Sequence, residues 1–179
     1  MRATAPALTV PVSDRDHVRG PETARLTLVE YGDYECPHCG AAHPIVQHLL
    51  RQFRVDLLFA FRNFPLTEIH PHAAAAASIA EAADRQDKFW PAHDAIFENQ
   101  ALVVQGAFGP IVSGVDLDTD QLESDLSDPA IAERIKEDFM SGVRSGVNGT
   151  PTFFVNGARF DGRWDTELEP YLQSLLEDP

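Results

Sequence analysis

Residues 26–40 read LTLVEYGDYECPHCG, and the fold turns on them. Leu26 to Tyr31 is a short apolar run rich in strand formers, interrupted only by Glu30, and it runs into Gly32 and Asp33, a turn signal. Beyond Cys39 the chain continues GAAHPIVQHLLRQF, with Ile45, Val46, Leu49, Leu50 and Phe53 at helical spacing. The order is buried strand, turn, Cys-x-x-Cys, helix.

Cys36 and Cys39 are the two cysteines of the chain, so an internal disulfide closes a four-residue loop. Closing so short a loop stabilises a fold by only about 2 kcal/mol before strain is subtracted, and a structural staple does not explain the spacing. At a helix N-terminus, unpaired N–H groups and the positive end of the dipole favour an anion, which lowers the pKa of Cys36 and supplies the nucleophilic thiolate. Cys39, one turn further in, is placed to attack Cys36 and release a bound partner. Two readings compete with a redox pair. Zinc could take both cysteines with His38 or His43, but a tetrahedral site wants four ligands and there is no second cysteine pair to complete it. Incidental buried thiols are the other, against which the junction predicts a partly exposed pair.

A Cys-x-x-Cys that opens a helix after a buried strand resembles the thioredoxin fold, and CPHC is similar to the active site of DsbA-type disulfide oxidoreductases. Pro44, five residues after Cys39, matches the proline that kinks the active-site helix of that superfamily. Glu30, six before Cys36, matches a buried acid that helps move protons. VNGTPTFFVNGARFDG at 147–162 resembles the family's cis-proline segment and hairpin, with Thr150 and Pro151 as the X–cis-Pro pair. The resemblance implies that Cys36, Cys39, His38, Pro151 and Glu30 carry the chemistry and that Thr150 and Pro37 contact substrate. Pro151 cannot complete a strand ladder, and a backbone left free beside Cys36 can pair with an extended chain. Residue 150 is Thr, frequent in the isomerase branch, where periplasmic oxidases often carry Val.

The rest of the chain fits an α/β, thioredoxin-like fold with an inserted helical subdomain. The expected division is a first half with the dithiol (1–67), a helical insertion (68–146) and a second half (147–179) with the cis-proline hairpin and last helix. VDLLFAFRNF at 55–64 is a second strand. Helices are expected over 73–83, 89–97 with Pro91 tolerated in its first turn, 121–126 and 130–143. Phe153 to Val155 and Arg159 with Phe160 pair across the turn Asn156-Gly157, and a final helix runs from about Asp165 with Leu168, Leu172, Leu175 and Leu176 on one face. The resemblance covers roughly 16–176.

His38 is expected to favour the Cys36 thiolate through its ring. Glu30 is either a proton relay or the partner of a cation such as Arg62. Phe89, Trp90 and Phe97 read as core of the insertion, and His17, His48, His70, His72 and His93 as structural or exposed. Asp33 and Glu35 are expected at the mouth of the site, where their charges oppose a thiolate. A net charge of -14 opposes encounters with nucleic acid and anionic membranes. MRATAPALTVPVSDRD has no long apolar stretch, as in a cytoplasmic chain, or one periplasmic or extracellular after trimming of a leader. No cofactor or metal is expected. The partners are protein thiols and disulfides with an unidentified redox recycling partner; a non-redox zinc-binding or chaperone-like module is the alternative.

Overall fold

In a computed structural model, residues 6–177 of the chain are described; residues 1–5, the start of the stretch read for a leader, lie outside them, as do 178–179. The elements follow as β1 (His17–Arg19), β2 (Leu26–Gly32), α1 (Pro37–Gln52), β3 (Leu57–Asn63), α2 (Ala73–Asp84), α3 (Phe89–Glu98), α4 (Gln100–Val104), α5 (Gly109–Gly114), α6 (Thr119–Leu126), α7 (Pro129–Arg144), β4 (Thr152–Val155), β5 (Ala158–Phe160) and α8 (Leu168–Glu177). The sheet order is β1-β3-β2-β4-β5. β2, α1 and β3 form a parallel crossover unit, and β1, β4 and β5 are antiparallel to their neighbours.

The central strands are buried on both faces, and their period of two sorts the core. Leu26, Leu28, Phe59, Phe61, Phe153 and Val155 pack into the larger core with α1, α3 and α8, whereas Val29, Tyr31, Ala60 and Phe154 pack with Phe64 and Val147 on the other side. Glu30 follows Leu26 and Leu28 in this alternation, so the strand aims a carboxyl toward the helix that carries the cysteines. α7 comes close to the second face because residue 142 is glycine: a Cβ there would sit 2.8 Å from the Phe64 ring and 2.9 Å from Tyr31. The hairpin turn at Asn156 and Gly157 has positive φ at both residues (48° and 81°), the conformation that matches the twist of the flanking strands.

All the helices of the insertion lie between β3 and β4. Most of α2 is buried, and its alanines let neighbouring helices approach on several sides. A charged network fastens α2 and α7 to the sheet. His17 Nε2 on β1 lies 3.0 Å from Glu81 Oε2, Asn63 Nδ2 donates to Glu81 Oε1 (2.6 Å), and the Asn63 N–H donates to Asp138 Oδ2 (3.0 Å). Burial opposes the charge on His17, but hydrogen bonds to the Asp84 and Glu81 carboxylates outweigh it and raise the imidazole to about 9. Trp90 donates its indole N–H to the Val18 carbonyl, and Phe89 and Phe97 are buried. At the far edge the N-terminal arm lies along β5: Ala7 bridges Ala158, the Leu8 N–H donates to Gly157 O (2.8 Å), and the Arg159 N–H donates to Pro6 O (3.0 Å). No helix of the described residues is long and apolar enough to cross a membrane.

The short elements β1, α4 and α5 are additions to the sequence-based outline, and the final helix starts at Leu168 rather than near Asp165. None of the three has enough residues to establish a period.

Candidate active site

Cys36 is the N-cap of α1, with extended backbone (φ -68°, ψ 122°). The turn ahead of it is built by Asp33, whose Oδ1 accepts the Glu35 N–H (2.8 Å) and whose carbonyl accepts the Cys36 N–H (3.1 Å). Pro37 follows at the first helical position, where a missing N–H costs nothing. The Gly40 N–H then donates to Cys36 O (3.0 Å), which places Cys39 one turn inside the helix beneath Cys36. Pro44 lies within the same helix.

The two cysteines differ sharply in environment. A hydrogen bond from Cys39 is the largest influence on Cys36. With Thr150 and the N–H groups of Cys39 and His38 it outweighs burial and lowers the thiol to about 5. Cys39 moves the other way: burial, its hydrogen bond to Cys36 and the charges of Glu30 and Cys36 hold its thiol well above the ordinary range. One sulfur is thus poised as an anion at neutral pH and the other as the acid that donates to it.

The Thr150–Pro151 peptide bond is cis, and Cys36 Sγ lies 3.4 Å from the Thr150 carbonyl. Pro151 also borders a cleft of about 190 Å³ lined by Phe153, Phe160 and Trp164. With this loop packed over the helix end, Cys36 is only 4% exposed and Cys39 is fully buried. That corrects the expectation of a partly exposed pair.

Glu30 is buried, and its Oε1 has no hydrogen-bond partner. Burial first, then the charge of Cys36, raises its carboxyl to about 8. The alternative of an ion pair with Arg62 is overturned, because Arg62 is taken by Asp16 (Nε to Oδ1, 2.7 Å) on the opposite face of the sheet. Neighbouring residues on β3 point to opposite faces, which puts Phe61 on Glu30's side and Arg62 away from it. His38 is exposed, and its backbone N–H is among the groups that lower the Cys36 thiol. Asp33 and Glu35 are buried, not set at the mouth.

Among the described residues the cysteines join no cluster of metal-ligating atoms. The one such cluster is His43, His93 and Asp94, whose ligand atoms lie within 4.8 Å of one another. Asp94 there accepts both guanidinium N–H groups of Arg19 (2.5 and 3.1 Å) and the Gln47 amide, and His93 Nδ1 lies 3.0 Å from Tyr34 Oη. His43 is turned toward these groups, so a set of two cysteines and His43 is not assembled.

Gln100 is a contact that sequence reading did not foresee. From the insertion, its Nε2 donates to Tyr34 O (2.9 Å) and Cys36 O (2.7 Å), holding the peptide that carries the nucleophile. Gly40 makes room for it, since a Cβ there would strike the Gln100 amide.

A strand–dithiol–helix junction, faced by a cis-proline on a sheet of this order, defines a thioredoxin-like dithiol protein. The chain belongs to the thioredoxin family, whose model matches residues 12–174. Its fold is shared with a thioredoxin-like oxidoreductase of Silicibacter pomeroyi DSS-3 (27% identity, 93% of this chain and 95% of that one, TM-score 0.76). It is shared equally with DsbA2 of Pseudomonas aeruginosa (27% identity, 94% and 97%, TM-score 0.74), so the neighbours are of the DsbA type. The Na(+)/H(+) antiporter NhaA 1 of Salinispora arenicola is 46% identical over 161 residues, 89% of this chain and 24% of the antiporter. The chain spans about a quarter of the length of the curated relatives it matches.

Proposed function

We propose that the chain is a protein thiol–disulfide oxidoreductase that exchanges disulfides with substrate proteins through Cys36 and Cys39. The observation that carries this reading is Cys36 at the N-cap of α1, with Cys39 one turn behind it and the cis Thr150–Pro151 loop against its sulfur; the opposed directions of the two thiols, Cys36 low and Cys39 high, agree with it. In the reducing direction the Cys36 thiolate attacks a substrate disulfide and one substrate sulfur leaves as thiolate. Cys39 then loses its proton, forms the Cys36–Cys39 bond and displaces the second substrate thiolate. The substrate gains two electrons and the protein loses them; the oxidising direction runs the same steps backward. Glu30, buried on the dithiol's side of the sheet with a carboxyl at about 8, is suited to accept the Cys39 proton.

Extended substrate is expected along Thr150 and Pro151, with Pro37 at the rim and the adjoining cleft receiving a side chain. The chemistry needs no cofactor, and a second thiol protein returns the pair to its starting state. The test is trapping. Cys39→Ser accumulates a stable mixed disulfide with a substrate protein, whereas Cys36→Ser forms none. Equal trapping by both variants, or by neither, refutes the assignment.

A further inference from the structure

Four titratable groups beside the dithiol have no part in the exchange just described: Asp33 and Glu35 in the turn before Cys36, and His70 and His72 in the loop that leads into α2. The members of each couple stand two positions apart, with one residue between them, and they meet as parallel pairs. Asp33 Oδ2 accepts His70 Nδ1–H (2.7 Å) and the Leu66 N–H (2.8 Å). Glu35 Oε2 accepts the His72 N–H (2.6 Å), and its Oε1 lies 3.4 Å from His72 Nδ1. Both acids are buried, where an unpaired carboxylate would be costly.

The backbone of Asp33 faces the other way. Its N–H lies 3.4 Å from Cys39 Sγ, and its carbonyl accepts the Cys36 N–H. One residue is therefore anchored to the insertion by its side chain and touches both cysteines through its peptide groups. We infer that Asp33 and His70 are positioning residues for Cys39: with Glu35–His72 beside them, they hold the Asp33 N–H against the Cys39 sulfur so that it is in place, and favoured as an anion, when it closes onto Cys36. The inference rests on the thiol–disulfide exchange reading. It is consistent with the charges around Cys39, where burial, Cys36 and Glu30 oppose the thiolate and the Asp33 N–H works against them. A mere tether for the insertion would not need its anchor on the residue whose N–H meets the Cys39 sulfur and whose carbonyl holds the Cys36 N–H.

Oxidised glutathione separates the steps in the full-length chain. Cys36 thiolate first attacks it, forming a Cys36–glutathione disulfide and releasing one glutathione thiolate, at a rate proportional to reagent. Cys39 then gives its proton by way of Glu30 to the medium and attacks Cys36; the Cys36–Cys39 bond forms, the bond to glutathione breaks, and the second glutathione leaves as thiolate at a rate independent of reagent. His70→Ala is expected to slow ring closure about tenfold, the effect of weakening one hydrogen bond to a charged group, and to leave the first step within about twofold. His70→Asn, whose amide N–H can stand in for Nδ1–H, is expected to restore closure. Asp33→Asn has one acceptor oxygen in place of two; kept toward the Glu35 N–H it preserves the turn before Cys36 and turns its NH2 toward Leu66 and His70, and it is expected to slow closure selectively as His70→Ala does. Unchanged closure in both weakened variants, or equal slowing of both steps, overturns the inference. A chain that closes its ring with glutathione but never forms a mixed disulfide with a protein refutes the proposed function instead, and the two rate constants still decide the roles of Asp33 and His70.

Discussion

Oxidising the dithiol should destabilise the protein near neutral pH, the reverse of what a structural disulfide does, and the sign should change with pH. A thiol whose folded pKa lies below its unfolded value contributes stability that is fully present above the unfolded pKa and is lost as pH falls through the folded one. For Cys36 the folded value is about 5. Against an unfolded value of about 8.5, the thiolate stabilises the reduced form by about 2 to 3 kcal/mol at pH 7 and by nothing much below about pH 5. Closing the four-residue loop contributes about 2 kcal/mol to the oxidised form at every pH. The two effects balance near about pH 6.5, so the reduced form is the more stable above it and the oxidised form below it. Above about pH 8.5 the elevated Cys39 thiol begins to count against the reduced form, which leaves a window of about pH 5 to 8 in which Cys36 dominates the difference, with Glu30 entering through its coupling to the Cys36 charge. Denaturant melts of both forms across that window measure the difference directly, provided their slopes agree. An oxidised form more stable than the reduced one throughout would refute the reasoning, because the Cys36 thiolate would then not be favoured by the fold.

Glu30→Gln should stabilise the protein in a pH-dependent way. A carboxyl raised to about 8 costs nothing below its unfolded value and destabilises progressively as pH rises toward 8, so the gain should be near zero at about pH 4 and about 3 kcal/mol at pH 7. Urea melts of the two proteins check it, and a gain independent of pH would point to packing instead. For His17, raised to about 9, the contribution is fully present below about pH 6.5 and is lost as pH rises through 9. His17→Gln should therefore cost up to about 3 kcal/mol at pH 6 and little at about pH 10, read from the same kind of melt.

What could be read from the sequence is what local chemistry decides. Residues 26–53 specify strand, turn and helix from their own pattern, and Asn156-Gly157 specifies a hairpin because two consecutive residues must take positive φ. The parts that escaped depend on residues far apart along the chain. β1 is three residues long and exists because β3, some forty residues later, offers it a partner. The acids at 33 and 35 resemble unfavourable charges beside a thiolate until the loop carrying His70 and His72 is folded against them. At His38 the residue type drew attention to an imidazole, whereas the peptide N–H that favours the sulfur there is one any residue but proline would supply.

The N-terminal arm along β5 bears on how the molecule behaves in a crowd. An open sheet edge is a template onto which another chain can crystallise a strand, and self-association commonly starts there. Here the Gly157 carbonyl and the Arg159 N–H are already engaged by Leu8 and Pro6. The same chain supplies the occupant at a local concentration no neighbour can match. A version shortened to begin after Leu8 would expose those groups and offer a second copy the berth the arm now fills.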